Sequence, residues 1–264
     1  MGEVIVITSG KGGVGKTTTT ANISTGLAAL NYKVVMIDTD IGLRNLDVVM
    51  GLENRIVYDI VDVVQGNCRL KQALIKDKRF ENLFLLPAAQ TKDKNSVNTD
   101  QMKELVGNLK PEFDYIVIDC PAGIEQGFKN AIAAAERAIV VTNPEISAVR
   151  DADRIIGLLE AAELHDPMLI INRLRPAMVK KGDMMNIVDV EDILAIKILG
   201  VVPEDEAIVI STNRGEPAVL EQTSKAGQAY RNIVKRITGE DVALMNLEEA
   251  DGLVSKLKKL MGIK

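Results

Sequence analysis

The sequence predicts an α/β protein: a doubly wound, mostly parallel sheet of about seven or eight strands, with helices on both faces. Three observations carry that expectation. Short apolar runs alternate with longer amphipathic ones along most of the 264 residues, the pattern of repeated βαβ units. The short runs are continuously apolar, as strands covered on both faces by helices must be. The first of them, 3–8, opens into a glycine-rich loop and then a helix-competent stretch at 17–30.

In chain order, strands are expected at 3–8, 33–38, 82–86, 115–119, 138–142, 168–172 and 197–202. Helices are expected near 17–30, 55–65, 99–109, 125–135, 146–163, 189–195 and 224–238. No internal repeat or low-complexity segment interrupts them. Between the first strand and the first helix stand Gly10, Lys11, Gly12, Gly13, Val14, Gly15, Lys16 and Thr17. They fit G-x-x-x-x-G-K-[ST], a loop whose backbone amides wrap a polyphosphate. Its glycines adopt backbone angles closed to other residues and keep side chains away from the phosphate oxygens. Lys16 brings positive charge to the β and γ phosphates, and the Thr17 hydroxyl suits Mg²⁺. Thr18 continues into the helix, whose positive end points at the same phosphates.

Three further strands end in polar residues, and the carboxyl ends of a doubly wound sheet form its ligand crevice. The second ends in Asp38-Thr39-Asp40, the fourth in Asp119-Cys120-Pro121-Ala122-Gly123 and the sixth in Asn172-Arg173. In a chain with such a loop, an aspartate closing an apolar strand holds the magnesium shell, which assigns Asp119. Gly123 can offer an unobstructed amide to the γ-phosphate. His165, the single histidine, is read as a surface residue.

Composition narrows the function. A net charge of −5 gives no global basic field for nucleic acid, and 3% aromatics without tryptophan give no stacking platform. The two cysteines, Cys68 and Cys120, form neither a disulfide framework nor a C-x-x-C, which fits a reducing cytosol. The chain starts straight into a strand without a signal segment, and no apolar run approaches the ~20 residues of a membrane span.

The C-terminal stretch changes character twice. Glu240, Asp241, Glu248, Glu249 and Asp251 make 240–252 an acidic linker. Residues 253–264 then hold Lys256, Lys258, Lys259 and Lys264 and no acid. On a helical wheel Leu253, Val254, Leu257, Leu260 and Met261 fall within about 120° of arc, with Lys256, Lys258 and Lys259 outside it. Periodicity alone fits either a terminal helix docked on the body or one lying on an anionic membrane surface.

The loop's second lysine, Lys11, has no place in the generic pattern. Gly-Lys-Gly-Gly-Val-Gly-Lys-Thr resembles the deviant Walker A loop of the P-loop NTPase group that contains the nitrogenase iron protein, ParA and MinD. Longer stretches resemble the MinD family in particular: 40–47, 72–79, 86–91, Thr142-Asn143-Pro144-Glu145 with 149–153, and 215–217. Together they span essentially the whole chain. Asn172-Arg173 stands closer to ParA, without disturbing the nucleotide reading.

The resemblance implies a great deal. The cofactors are ATP and Mg²⁺, with Thr17, Asp38 and Asp119 as the metal set. Lys11 crosses to the nucleotide of a second subunit in an ATP-bound homodimer. Asp40 orients the attacking water with help from Asn45, beside Lys16. Asn172, Pro203 and Asp205 lie at the adenine, and the Asn-Lys-x-Asp signature of guanine readers is absent. The helix after 142–144, with Arg150, Asp151 and Asp153, binds division regulators. Residues 1–239 form the ATPase domain and 253–264 an amphipathic membrane-targeting helix. The implied function is an ATP-dependent switch on the cytoplasmic face of the cell membrane that recruits a MinC-like septum inhibitor and blocks division at wrong sites. A MinE-like topology factor and anionic lipids complete the partners; no specific nucleic acid is expected. The competing reading is a ParA-like ATPase that segregates DNA or positions another cargo, which net charge and the tail oppose. An iron–sulfur carrier of this fold would need bridging cysteines, and a P-loop kinase an acceptor pocket.

Overall fold

The computed structural model describes residues 2–93 and 95–247. The expected membrane helix and the end of the linker lie outside the described residues. Strands β1 (Glu3–Thr8), β2 (Val34–Asp38), β3 (Ile75–Lys76), β4 (Leu83–Leu86), β5 (Tyr115–Asp119), β6 (Arg137–Thr142), β7 (Met168–Leu174) and β8 (Ile198–Pro203) form one sheet. Its order is β3-β4-β2-β5-β1-β6-β7-β8, parallel except where β3 pairs antiparallel with β4. The expected doubly wound sheet is present with eight strands.

Helices α1 (Lys16–Ala29), α2 (Leu46–Met50), α3 (Ile60–Val64), α4 (Leu70–Ala73), α5 (Thr99–Leu109), α6 (Gln126–Ala133), α7 (Ile146–Ala161), α8 (Pro176–Lys181), α9 (Ile187–Leu194), α10 (Glu206–Arg214) and α11 (Lys225–Ile237) connect the strands. Successive side chains of a strand point to opposite faces, so the sheet has two cores. Val4 and Val6 pack with residues of α3, α5, α6, α7 and α9. Ile5 and Ile7 pack with residues of α1, α2 and α11. These strand residues are fully buried, which explains why the strands read as unbroken apolar runs.

The helix expected near 55–65 divides. A single 3₁₀ turn covers Glu53–Arg55, and α3 starts only after Asp59, whose carboxylate accepts the Val61 and Asp62 amides in a capping box. β7 runs two residues beyond the expected 172. The start of the expected linker stays on the body: Arg236 donates to the carbonyls of Val242 at 2.6 Å and Ala243 at 2.7 Å.

Register sets the ligand crevice. Asp38 pairs with Asp119 across β2 and β5, and Ile7 pairs with the same Asp119 across β1. Three strands thus end at one level, beneath the glycine loop.

Candidate nucleotide site

The loop leaves β1 through Ser9, whose hydroxyl donates to the Lys11 carbonyl at 2.8 Å and curls the chain. Gly13 (φ 77°) and Gly15 (φ 104°) hold left-handed angles that strain any other residue. Gly10 is needed for a different reason: a Cβ there would lie 2.2 Å from the Asp151 carbonyl oxygen of α7. Asn172, two residues before the end of β7, ties the loop down, donating to the Val14 carbonyl at 2.7 Å. Its own oxygen accepts the Arg173 amide at 2.9 Å.

Lys16 opens α1 and is 8% exposed. No side chain caps α1, and its first turn holds no acid. The amides at this helix end are therefore presented, with the Lys16 ammonium, to an anion. The group suits a polyphosphate.

Asp119 lies below, accepting from Thr20 Oγ1 at 3.1 Å and from the Thr17 hydroxyl. Burial pushes its carboxyl above the usual range, against the pull of those hydroxyls and of Lys16. Burial also raises Asp38, reinforced by the charge of Asp119. Thr17 and Asp119 make a hard-oxygen donor pair that fits Mg²⁺. Among the described residues no three His, Cys, Asp or Glu side chains cluster as a cation cage. A magnesium ion here suits the usual mode, in which one or two carboxylates and substrate phosphates hold it.

Asp38 turns toward the next loop. Its oxygens accept the amides of Asp40 at 2.9 Å and of Asn45 and Leu46 at 3.2 Å each. One buried carboxylate thereby fixes the loop that carries Asp40 and starts α2. Gly42 (φ 96°) and Arg44 (φ 34°) make the turn, and Asn45 is exposed. Gly123 (φ 94°) lies in the loop after β5, where a Cβ would meet nothing within 4 Å.

On the other side of the glycine loop is a cavity of about 240 Å³. Gly15, Thr18, Asn172, Pro203 and Asp205 all line it, so the expected base-end residues do converge. The Asp205 carboxylate serves two helices at once, accepting from Ala207 N, Ser224 Oγ and Ala226 N at 2.9–3.1 Å. It shapes the cavity wall by capping α10 and positioning α11. Arg173 and Glu204 also line it, and so do Ile208, Val209 and Tyr230, which were not foreseen. The Tyr230 hydroxyl bonds Thr19 Oγ1 at 3.1 Å, and burial pushes it up to about 12.

Lys11 stands apart. It is exposed, with Nζ 3.3 Å from Ser147 Oγ at the start of α7. Ser147 also lines a cleft of about 770 Å³ between the 143–147 turn and residues of α8 and α9. On α7, Arg150 and Asp153 are exposed and Asp151 is half-buried. His165 is exposed in the loop after α7.

A sheet wound in this order around such a loop is that of a P-loop NTPase, and a family model described as "AAA domain" matches residues 2–167. The chain is 58% identical over 267 residues to the septum site-determining protein MinD of Bacillus subtilis, covering all of both chains. It superposes on the MinC:MinD cell division protein complex of Aquifex aeolicus with a TM-score of 0.86 at 50% identity, covering 92% of this chain and 98% of that one. The septum site-determining protein MinD complexed with Mg-ADP from Pyrococcus horikoshii gives a TM-score of 0.83 at 34% identity, with coverages of 90% and 97%. The chain belongs to the MinD family. Among the described residues, no helix is long and apolar enough to cross a membrane.

Proposed function

We propose that the protein is an ATP-switched ATPase that dimerises on ATP, attaches to the inner face of the cell membrane, and there recruits a septum inhibitor of the MinC type. The observation that carries this reading is the separation of the two loop lysines. Lys16 is buried at the helix start, whereas Lys11 is exposed at the rim. A lysine so placed reaches a nucleotide best when that nucleotide belongs to a second copy.

Lys16 and the α1 amides hold the β and γ phosphates, while the 240 Å³ cavity takes the base. Thr17 and Asp119, with Asp38 one strand away, would hold Mg²⁺, which would supply counter-charge to the phosphates. Asp40 accepts a hydrogen bond from water and aims it at the γ phosphorus, with Asn45 beside it. The water oxygen bonds to the γ phosphorus as the bond from that phosphorus to the β-phosphate oxygen breaks, and the water's protons leave with the phosphate and the solvent, giving ADP and phosphate. Phosphoryl transfer asks mainly for such positioning.

Membrane attachment follows from arithmetic on residues 253–264. Each lysine contributes at most ~1 kcal/mol near an anionic surface. Five apolar side chains add several kcal/mol at ~25 cal/mol per Å² buried. Ordering the segment costs ~1 kcal/mol or more per residue, so one tail binds weakly. Two tails on one ATP dimer gain ~10²–10⁴ in avidity. Hydrolysis separates the subunits and releases them. The start of α7, with Arg150 and Asp153 exposed beside the Lys11 rim, is the proposed regulator surface.

Lys11→Ala tests the reading. The variant should bind ADP as the wild type does, yet remain monomeric with ATP in analytical ultracentrifugation and show basal turnover only. An intact ATP dimer would refute the action of Lys11 across subunits.

A further inference from the structure

Two short helices converge at a point remote from the glycine loop. α2 follows the Asp38–Asn45 loop and ends at Met50; α10 follows the 203–205 loop and ends at Arg214. Each stops in a left-handed glycine, Gly51 and Gly215, both at φ 65°. The two glycines lie back to back. A Cβ on Gly215 would sit 2.5 Å from Gly51 Cα, and one on Gly51 would sit 3.2 Å from Gly215 Cα. The carbonyl ends of two helices, both partially negative, are thus brought together.

The Arg79 guanidinium bridges them. Nη1 donates to the Gly215 carbonyl at 2.6 Å and Nη2 to the Met50 carbonyl at 3.0 Å. Nε and Nη2 also grip the Asp77 carboxylate at 3.1 and 2.7 Å. The Asp77 side chain is fully buried and its Oδ1 accepts the amides of Arg79 and Phe80, so the pair is fixed to the turn after β3. Lysine, a point charge without the planar fork, could not span a carboxylate and two carbonyls.

The amino ends of the same two helices face the nucleotide site. The Asn45 and Leu46 amides at the start of α2 hold Asp38. At the start of α10, Asp205 is the cap, and Ile208 and Val209 line the base cavity. Movement of α10 against a base therefore reaches α2 through their joined carboxyl ends.

We propose that Arg79 is a positioning residue that couples the base cavity to the water-orienting loop, an inference resting on the nucleotide reading above. A base seated against α10 fixes α2 through the guanidinium, and with it the loop of Asp38, Asp40 and Asn45. Arg79 does not line the base cavity; its guanidinium is spent on Asp77, Gly215 and Met50.

Amide hydrogen exchange on the full chain, with ADP or with pyrophosphate, separates the base from the phosphates. In the wild type, both ligands should protect 10–17, and only ADP should also protect 203–210 and 46–52. Arg79→Lys should keep ADP protection at 10–17 and 203–210 and lose it at 46–52. Its kcat for ATP should fall ~10-fold or more with KM within about threefold, the signature of lost positioning rather than lost binding. Asp77→Asn, which keeps an acceptor for the Arg79 and Phe80 amides, should shift 46–52 in the same direction and serves if the first variant does not fold. A merely structural clamp would instead quicken exchange in both helices without ligand and leave the ADP effect at 46–52 intact; that result overturns the coupling. An absent ADP effect at 10–17 in the wild type overturns the nucleotide reading and the coupling with it.

Discussion

Lys16→Ala should bind ATP ~10²-fold more weakly than the wild type or worse, by isothermal titration, while folding normally. Lys16 is the buried cation at a helix end without a side-chain cap or first-turn acid. Removing one partner of a desolvated charged pair costs ~2–5 kcal/mol, and ~1.4 kcal/mol is tenfold in affinity. The loop geometry survives the change, because Ser9, Asn172 and the left-handed glycines shape it without the Lys16 ammonium. ATP affinity within about threefold of the wild type would remove Lys16 from the phosphate site.

Asp40→Ala should keep ATP affinity and lose turnover by ~10²-fold or more, the usual contribution of a positioned proton acceptor. Alanine keeps the backbone ties of residue 40, from its amide to Asp38 and to its carbonyl from the Leu43 and Arg44 amides. Lys16, Thr17 and Asp119 lie on other elements. The variant should accumulate as an ATP dimer, seen as a mass that persists after phosphate release from the wild type has ended. Unchanged turnover would transfer the water-positioning role to another group, Asn45 first.

The parts of the molecule legible in the sequence are those where local pattern and tertiary demand coincide. Continuous apolar runs such as Val4 to Ile7 announce a strand because both faces are covered. The glycine loop is equally plain, since its phosphate-binding amides belong to consecutive residues. What escaped has identifiable reasons. α2, α4 and α8 span only 5, 4 and 6 residues, too short for a helical period to declare itself. β3, two residues long, exists through pairing with β4. The capping box at Asp59 was readable from Asp59 and Asp62, yet the apolar run across 56–64 suggested one longer helix. Tyr230 carries no local signal; α11 delivers it to the base cavity from far along the chain. Ile208 and Val209 could have been suspected, as an apolar run directly after the 203–205 loop.

Asn172 and Asp205 each have a structural task in building the site as well as a place in its lining. Both line the base cavity. The amide of Asn172 is engaged with the Val14 carbonyl, and the carboxylate of Asp205 with two helix starts. Their visible work is to build the cavity.

The central claim, a membrane switch thrown by ATP, is tested most directly by co-sedimentation of the wild-type chain with vesicles containing anionic phospholipid. With ATP and Mg²⁺ the protein should pellet with the vesicles; with ADP and Mg²⁺ it should remain in the supernatant, and raising salt should weaken the ATP-dependent fraction. Equal pelleting with the two nucleotides, or none with either, would contradict the account.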